Sequence, residues 1–206
     1  MYKKPVIVFE GIEGSGKTLH CKFVSNYLKK KKISHIKIRE PGGSKNSEKI
    51  RNLILGNKSN FKNKTDLLLY LASRSENIEY LKKHYNKKII LIDRFVDSTI
   101  AYQYYGMGLD ISVINKINSY LLKSFKIDYT FLNIVNHENM KKRLKLRKKI
   151  NRYDKFSENF YKKVQNGFLK IANYKKKKYQ IINSNLDISK NREIILSKID
   201  KLIRWT

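Results

Sequence analysis

The stretch FEGIEGSGKT, Phe9 to Thr18, places Gly11, Gly14 and Gly16 just ahead of Lys17-Thr18. Its glycines follow the β-rich run VIVFE, and it precedes a segment with apolar residues at Leu19, Phe23, Val24, Tyr27 and Leu28, the stripe of a helix. The chain has only 9 glycines in 206 residues, so this crowding answers a local need. Glycines let the backbone turn with its N–H groups converging on an anion, and a helix N-terminus adds its dipole. Gly11-x-x-x-x-Gly16-Lys17-Thr18 fits the pattern G-x-x-x-x-G-K-[ST] between strand and helix. The segment Gly11, Ile12, Glu13, Gly14, Ser15, Gly16, Lys17 and Thr18 is therefore expected to cradle a nucleoside triphosphate. Lys17 would reach the β/γ-phosphates, and the Thr18 hydroxyl would be a ligand for Mg²⁺.

The rest of the chain alternates short strands with longer helices. Strands are expected at 6–10, 36–39, 89–93, 129–134 and 179–182. Helices are expected at 17–32, 47–55, 65–85, 98–105, 112–123, 137–147, up to about 175, and 192–203. Five apolar strands separated by helices imply an α/β fold, a five-stranded parallel sheet flanked by helices on both faces. Ligands on such a sheet gather at the carboxyl ends of the strands. At 206 residues with 41% hydrophobic content, the chain can bury one substantial core, so one domain over 1–206 is expected.

Lys+Arg 46 against Asp+Glu 17 gives a net charge of +29, a balance that suits polyanion binding. Yet Lys, Ile and Asn are abundant along the whole chain, and a base-composition bias of the coding DNA accounts for all three together. No specific nucleic-acid partner is expected. The single cysteine, Cys21, cannot close an internal disulfide, and the longest apolar runs are too short to span a bilayer. A cytoplasmic protein with no membrane partner is expected.

The surroundings of the loop discriminate among its users. NKTD at Asn63–Asp66 precedes the IILID strand and no DxxG occurs, so a GTPase switch is disfavoured and NKTD reads as a helix start. Motor ATPases place a second acid after the strand-end Asp, but Arg94 follows Asp93 here. Asp93 near Mg²⁺ and Arg94 on a second phosphate suit a kinase of small phosphorylated substrates. Tyr70 and Arg74 lie four apart and share a helix face, as do Arg143 and Arg147 within a basic stretch.

Three blocks together resemble the thymidylate kinase family: FEGIEGSGKT, REPGG at Arg39–Gly43 and DRFVDSTIAYQ at Asp93–Gln103. The resemblance covers almost the whole chain. It implies a P-loop kinase of adenylate-kinase-like architecture with a short lid at about 143–156. ATP would donate to dTMP with Mg²⁺ held near Thr18 and Asp93. The resemblance further implies that Tyr70 stacks on the thymine ring and that Arg74 and Gln103 read its edge. Pro41 would wall the base, with Ser98, Thr99 and Tyr102 lining the same site. Arg51 and Arg94 would grip the monophosphate, Glu13 would accept from the sugar 3′-hydroxyl, and Tyr153 would crowd the 2′ position. Since the loop carries Ser15 where some members have a catalytic Arg, the lid is expected to supply Arg147 or Arg152. Catalysis would thus rest on Lys17, Arg94 and one of that pair. Leu19, Tyr104 and Met107 depart from the family pattern. Homodimers through the second and third long helices are also implied. The alternatives are another nucleoside or nucleotide kinase, or a basic nucleic-acid-binding ATPase.

Overall fold

The computed structural model describes residues 4–147 and 150–204. Strands β1 (Val6–Glu10), β2 (His35–Arg39), β3 (Ile89–Asp93), β4 (Tyr129–Ile134) and β5 (Tyr179–Asn183) form one sheet in the order β2-β3-β1-β4-β5. Every pairing is parallel. The central strands β1 and β3 are buried at every position, whereas edge strand β2 is mostly not. That difference explains why VIVF and IILI read as unbroken apolar runs: both of their faces are covered.

The side chains alternate between two cores. Ile7, Phe9, Leu91 and Phe131 pack against helix α1 (Lys17–Lys30) through Val24 and Leu28, and against the last helix through Ile195 and Ile199. Val6, Val8, Ile90 and Ile92 point the other way, onto Ile78 and Leu81 of helix α3 (Asn63–His84). Helix α2 (Lys45–Leu55) packs on α3, and this pair forms one wall of the region beyond the strand ends.

Two departures from the expected helices bear on the site. In place of one helix over 98–105, a short helix α4 (Val96–Thr99) opens into wide π-helical turns over Ile100–Gly106. The Met107 amide reaches back five residues to the Tyr102 carbonyl at 2.9 Å. Helix α5 (Ile111–Leu122) follows. Hydrophobic spacing over seven residues cannot separate π from α turns, and such widening gathers at functional sites. Second, helix α6 (His137–Lys145) stops before Arg147, so Arg147 does not share its face with Arg143. Helix α7 (Glu158–Tyr174) packs closely on the π turns, where a Cβ at Gly167 would lie 2.5 Å from the Tyr105 ring. Helix α8 (Ile188–Ile203) closes the chain.

Candidate active site

The glycine turn joins β1 to α1 at the carboxyl edge of the sheet. Gly11 has φ +141, and a Cβ there would lie 2.3 Å from the Asn133 carbonyl, so only glycine fits. Gly16 takes φ 87 as the residue capping α1. Lys17 is buried, and its Nζ donates to the Ile12 carbonyl at 3.0 Å. Burial, then the Arg94 cation, drive its ammonium down to about 7 against the pull of Glu13 and Asp93. A triphosphate would supply the missing counter-charge. Asp93 ends β3 with its Oδ1 buried and without a hydrogen-bond partner among the described residues. Thr18 and Asp93 line the same cavity. Two hard oxygens beside a phosphate cradle fit Mg²⁺, which keeps most of its waters and takes few protein ligands.

Arg94 follows at φ 68, a conformation uncommon outside glycine. Its guanidinium pairs with Glu13 at 2.6 Å, donates to the Gly11 carbonyl at 2.9 Å and lies over the Tyr102 ring. Burial pushes the Glu13 carboxyl up, but Arg94, Lys17 and the Tyr102 hydroxyl outweigh it and leave it below the usual range. An acid inside the phosphate loop is thus neutralised by the residue after Asp93.

Beyond Arg94 opens a cavity of about 360 Å³. Glu13, Lys17, Thr18, Pro41, Arg51 and Tyr70 line it, as do Arg74, Arg94, Ser98, Thr99, Tyr102 and Gln103. Most of the acceptor residues expected from the resemblance therefore converge on one space. Gln103 is 1% exposed, and its amide Nε2 has no partner among the described residues. Arg51 donates to the Pro41 carbonyl at 2.6 Å, tying α2 to the REPGG turn. Arg74 lines this cavity as well, with its guanidinium held by its neighbours. It is 1% exposed and donates to Glu40 at 2.8 Å, Asn118 at 2.7 Å and Thr99 at 2.9 Å. Its first task here is to knit α3, α4, α5 and the REPGG turn together. Burial raises the Glu40 carboxyl, while Arg74 and Asn77 oppose the rise.

The lid separates its two candidate arginines. Arg147 lines the cavity, held by Asp154 at 2.6 Å, and its charge helps depress the Lys17 ammonium. Arg152 is not among the residues lining that cavity. Its guanidinium pairs with Asp66 and donates to the Ile54 carbonyl, which pins the short 3₁₀ turn Arg152–Lys155 onto α2 and α3. Tyr153 lines the cavity but is 2% exposed, edge-on to Tyr70, with its hydroxyl on Asp66 at 2.9 Å. Arg143 donates to the Gly14 and Ser184 carbonyls at 3.0 and 2.6 Å, bracing the phosphate loop from α6. Lys148 and Lys149, inside the expected lid of 143–156, lie outside the described residues.

Sequence reasoning overlooked Glu40, Asn118 and Asp66. Glu40 sat inside the quoted REPGG block, and a buried arginine needs a carboxylate, so that pairing was within reach. Asp66 stood in NKTD, whose reading as a helix start is correct because α3 begins at Asn63. Its grip on the lid, 86 residues away, has no local signal.

A glycine turn at the head of a helix that opens onto an arginine-walled cavity is the arrangement of P-loop phosphotransferases, and the five-stranded parallel sheet is their fold. Comparison narrows the class. The thymidylate kinase family model matches residues 9–195, and the chain belongs to that family. It is 34% identical over 204 residues to the thymidylate kinase of Thermoanaerobacter sp. (strain X514), covering 98% of this chain and 100% of that one. It is 37% identical over 196 residues to that of Sulfurihydrogenibium sp. (strain YO3AOP1), covering 94% and 95%. The crystal structure of the Ehrlichia chaffeensis thymidylate kinase superposes with a TM-score of 0.77 at 31% identity, covering 96% of this chain and 98% of that one.

Proposed function

We propose that the protein transfers the γ-phosphoryl group of ATP to dTMP, giving dTDP and ADP in dTTP synthesis. The observation that carries the acceptor assignment is the buried Gln103 amide, whose Nε2 has no partner among the described residues, at a cavity also lined by Tyr70. An amide can both donate and accept, so it can match a pyrimidine edge. Tyr70 offers a ring on which a base can stack, worth ~1–3 kcal/mol in nucleic-acid systems. Pro41 and Thr99 complete the base wall, and Ser98 and Tyr102 the adjoining side. Arg51 and Arg94 hold the acceptor phosphate, Glu13 the sugar 3′-hydroxyl, and Tyr153 closes the space beside the sugar.

On the donor side, the loop amides from Gly11 to Thr18 bind phosphates while Lys17 bridges toward the transferring group. Mg²⁺, held through Thr18 and Asp93, would offset charge on the phosphate oxygens. Phosphoryl transfer needs positioning and charge stabilisation more than covalent help. Arg147 is the lid cation placed to meet the developing charge, and Arg152 secures the lid turn. Residues 1–206 act as one kinase domain with its lid at about 143–156. We further read the enzyme as a cytoplasmic homodimer. Exposed Leu53 on α2 and Leu68 on α3 favour a paired surface, and among the described residues no helix is long and apolar enough to cross a membrane.

A coupled assay of ADP release across nucleoside monophosphates tests the assignment. dTMP should be turned over far faster than dCMP, dGMP or dAMP. Efficient phosphorylation of dCMP or a purine monophosphate would overturn it.

A further inference from the structure

Glu10, the last residue of β1, is completely buried, and the reaction as proposed does not use it. Its carboxylate reaches sideways from the sheet to the start of α4. Oε1 accepts the Phe95 amide at 2.9 Å and the Ser98 amide at 3.2 Å, while Oε2 accepts the Ser98 hydroxyl. The residue capping α4 is Phe95, whose side chain offers no hydrogen bond, so the cap is supplied from another strand. Its chain neighbours grip the same segment: the Phe9 carbonyl accepts the Arg94 amide at 3.0 Å, and the Gly11 carbonyl accepts the Arg94 guanidinium at 2.9 Å. Three consecutive residues, 9 to 11, therefore hold Arg94 through Ser98 against the base of the phosphate loop. Arg94 sits at φ 68 within that grip. Strain of this kind persists only where the surroundings over-determine it.

We propose that Glu10 is a positioning residue that sets the acceptor wall, Arg94 to Gln103, relative to the phosphate loop. The proposal rests on the reading of that wall as the acceptor site. Through α4 and the π turns, the carboxylate sets where Arg94, Thr99, Tyr102 and Gln103 stand. The donor phosphates are held by backbone amides of the loop itself, which Glu10 does not cap.

The test compares Glu10→Ala, Glu10→Asp and Glu10→Gln by steady-state kinetics, varying dTMP and ATP separately. Glu10→Ala removes the acceptor, and Glu10→Asp withdraws it by one methylene. Both should raise KM for dTMP at least about tenfold and leave KM for ATP within about threefold. Glu10→Gln keeps an oxygen for the two amides and an NH₂ for the Ser98 hydroxyl, so it should restore KM for dTMP to within about threefold of wild type. If Glu10→Ala fails to fold, the Asp and Gln pair carries the comparison. Equal rises in both KM values, no rise in either, or no recovery in Glu10→Gln would overturn the positioning role. Failure of the wild-type enzyme to phosphorylate dTMP would instead overturn the acceptor assignment, so the two outcomes remain separate.

Discussion

Arg147 and Arg152 should respond to truncation in opposite ways. The Arg147 side chain is 37% exposed, and although that of its partner Asp154 is only 2% exposed, Asp154 keeps the Asn151 amide and side-chain NH₂ as donors, so removing Arg147 should cost less stability than removing Arg152. If Arg147 meets transition-state charge beside Lys17, Arg147→Ala should lower kcat by at least about tenfold, roughly 1.4 kcal/mol of barrier. Full engagement would bring the loss to the ~10³–10⁵ typical of arginine fingers. Arg152→Ala instead strands Asp66, whose side chain is 3% exposed, with the Tyr153 hydroxyl as its one remaining side-chain partner among the described residues. Leaving one member of a buried pair costs on the order of 3–5 kcal/mol. Against a total of ~5–15 kcal/mol, that loss would be plain in a urea titration. The double variant Asp66→Asn/Arg152→Ala should recover part of it, because a neutral amide needs no counter-ion. Urea midpoints and kcat at saturating ATP and dTMP, measured on all variants, decide the matter. The reasoning fails if Arg147→Ala keeps wild-type kcat while Arg152→Ala lowers kcat at unchanged stability.

Lys17→Ala should abolish most phosphoryl transfer while circular dichroism stays native, because the lost group is a phosphate-facing charge and not core packing; near-normal turnover would refute the loop assignment. The Glu10 carboxyl is pushed up to about 7, by burial first and by Asp97 second, against 4.5 for the ordinary group. Between those values the folded protein holds a proton that the unfolded chain releases. Glu10's contribution is thus full below about 4.5 and lost as pH rises through about 7, on the order of 3 kcal/mol at most. Urea midpoints of Glu10→Gln should lack this fall, and an unchanged slope would refute the assignment to Glu10. Duplex DNA should bind only at low salt and leave ATP hydrolysis unstimulated; DNA-dependent ATPase activity would favour the nucleic-acid reading.

The parts of the fold legible in the sequence are those set by local chemistry. Strand β1 and helix α1 flank a turn that only glycines can make, so their order and the loop's role followed from spacing. Strands β1, β3 and β4 followed from apolar runs buried on both faces, whereas β2 and β5 are only partly buried. What stayed illegible depends on partners far along the chain. Arg74 promises a reader of the base on its helix face, but Asn118, 44 residues on, and Thr99, 25 residues on, claim two of its nitrogens. Arg147 and Arg152 looked equivalent because a basic run has no direction until Asp154 and Asp66 take one each. Helix α6 ending at Lys145, before Arg147, likewise left no periodic trace in a stretch rich in lysine.

Two acids flank the phosphate loop, Glu10 before its first glycine and Glu13 within it, where anions must bind. Each is reconciled with phosphate by the segment that follows β3. Arg94 answers Glu13 with a guanidinium at 2.6 Å, so the pair brings almost no net negative charge to the cradle. Glu10 is turned away from the cradle, its oxygens taken up by Phe95 and Ser98. Burial holds that carboxyl near its midpoint at neutral pH, so it too carries less than a full charge. The same contacts that silence the acids fasten the acceptor segment to the donor loop. Registering two phosphates for in-line transfer requires such a joint, because a misplacement of about 1 Å can cost on the order of 10²-fold in rate. The acids are therefore a consequence of joining two anion sites through one strand end, and truncating either to Ala should disturb the acceptor before the donor.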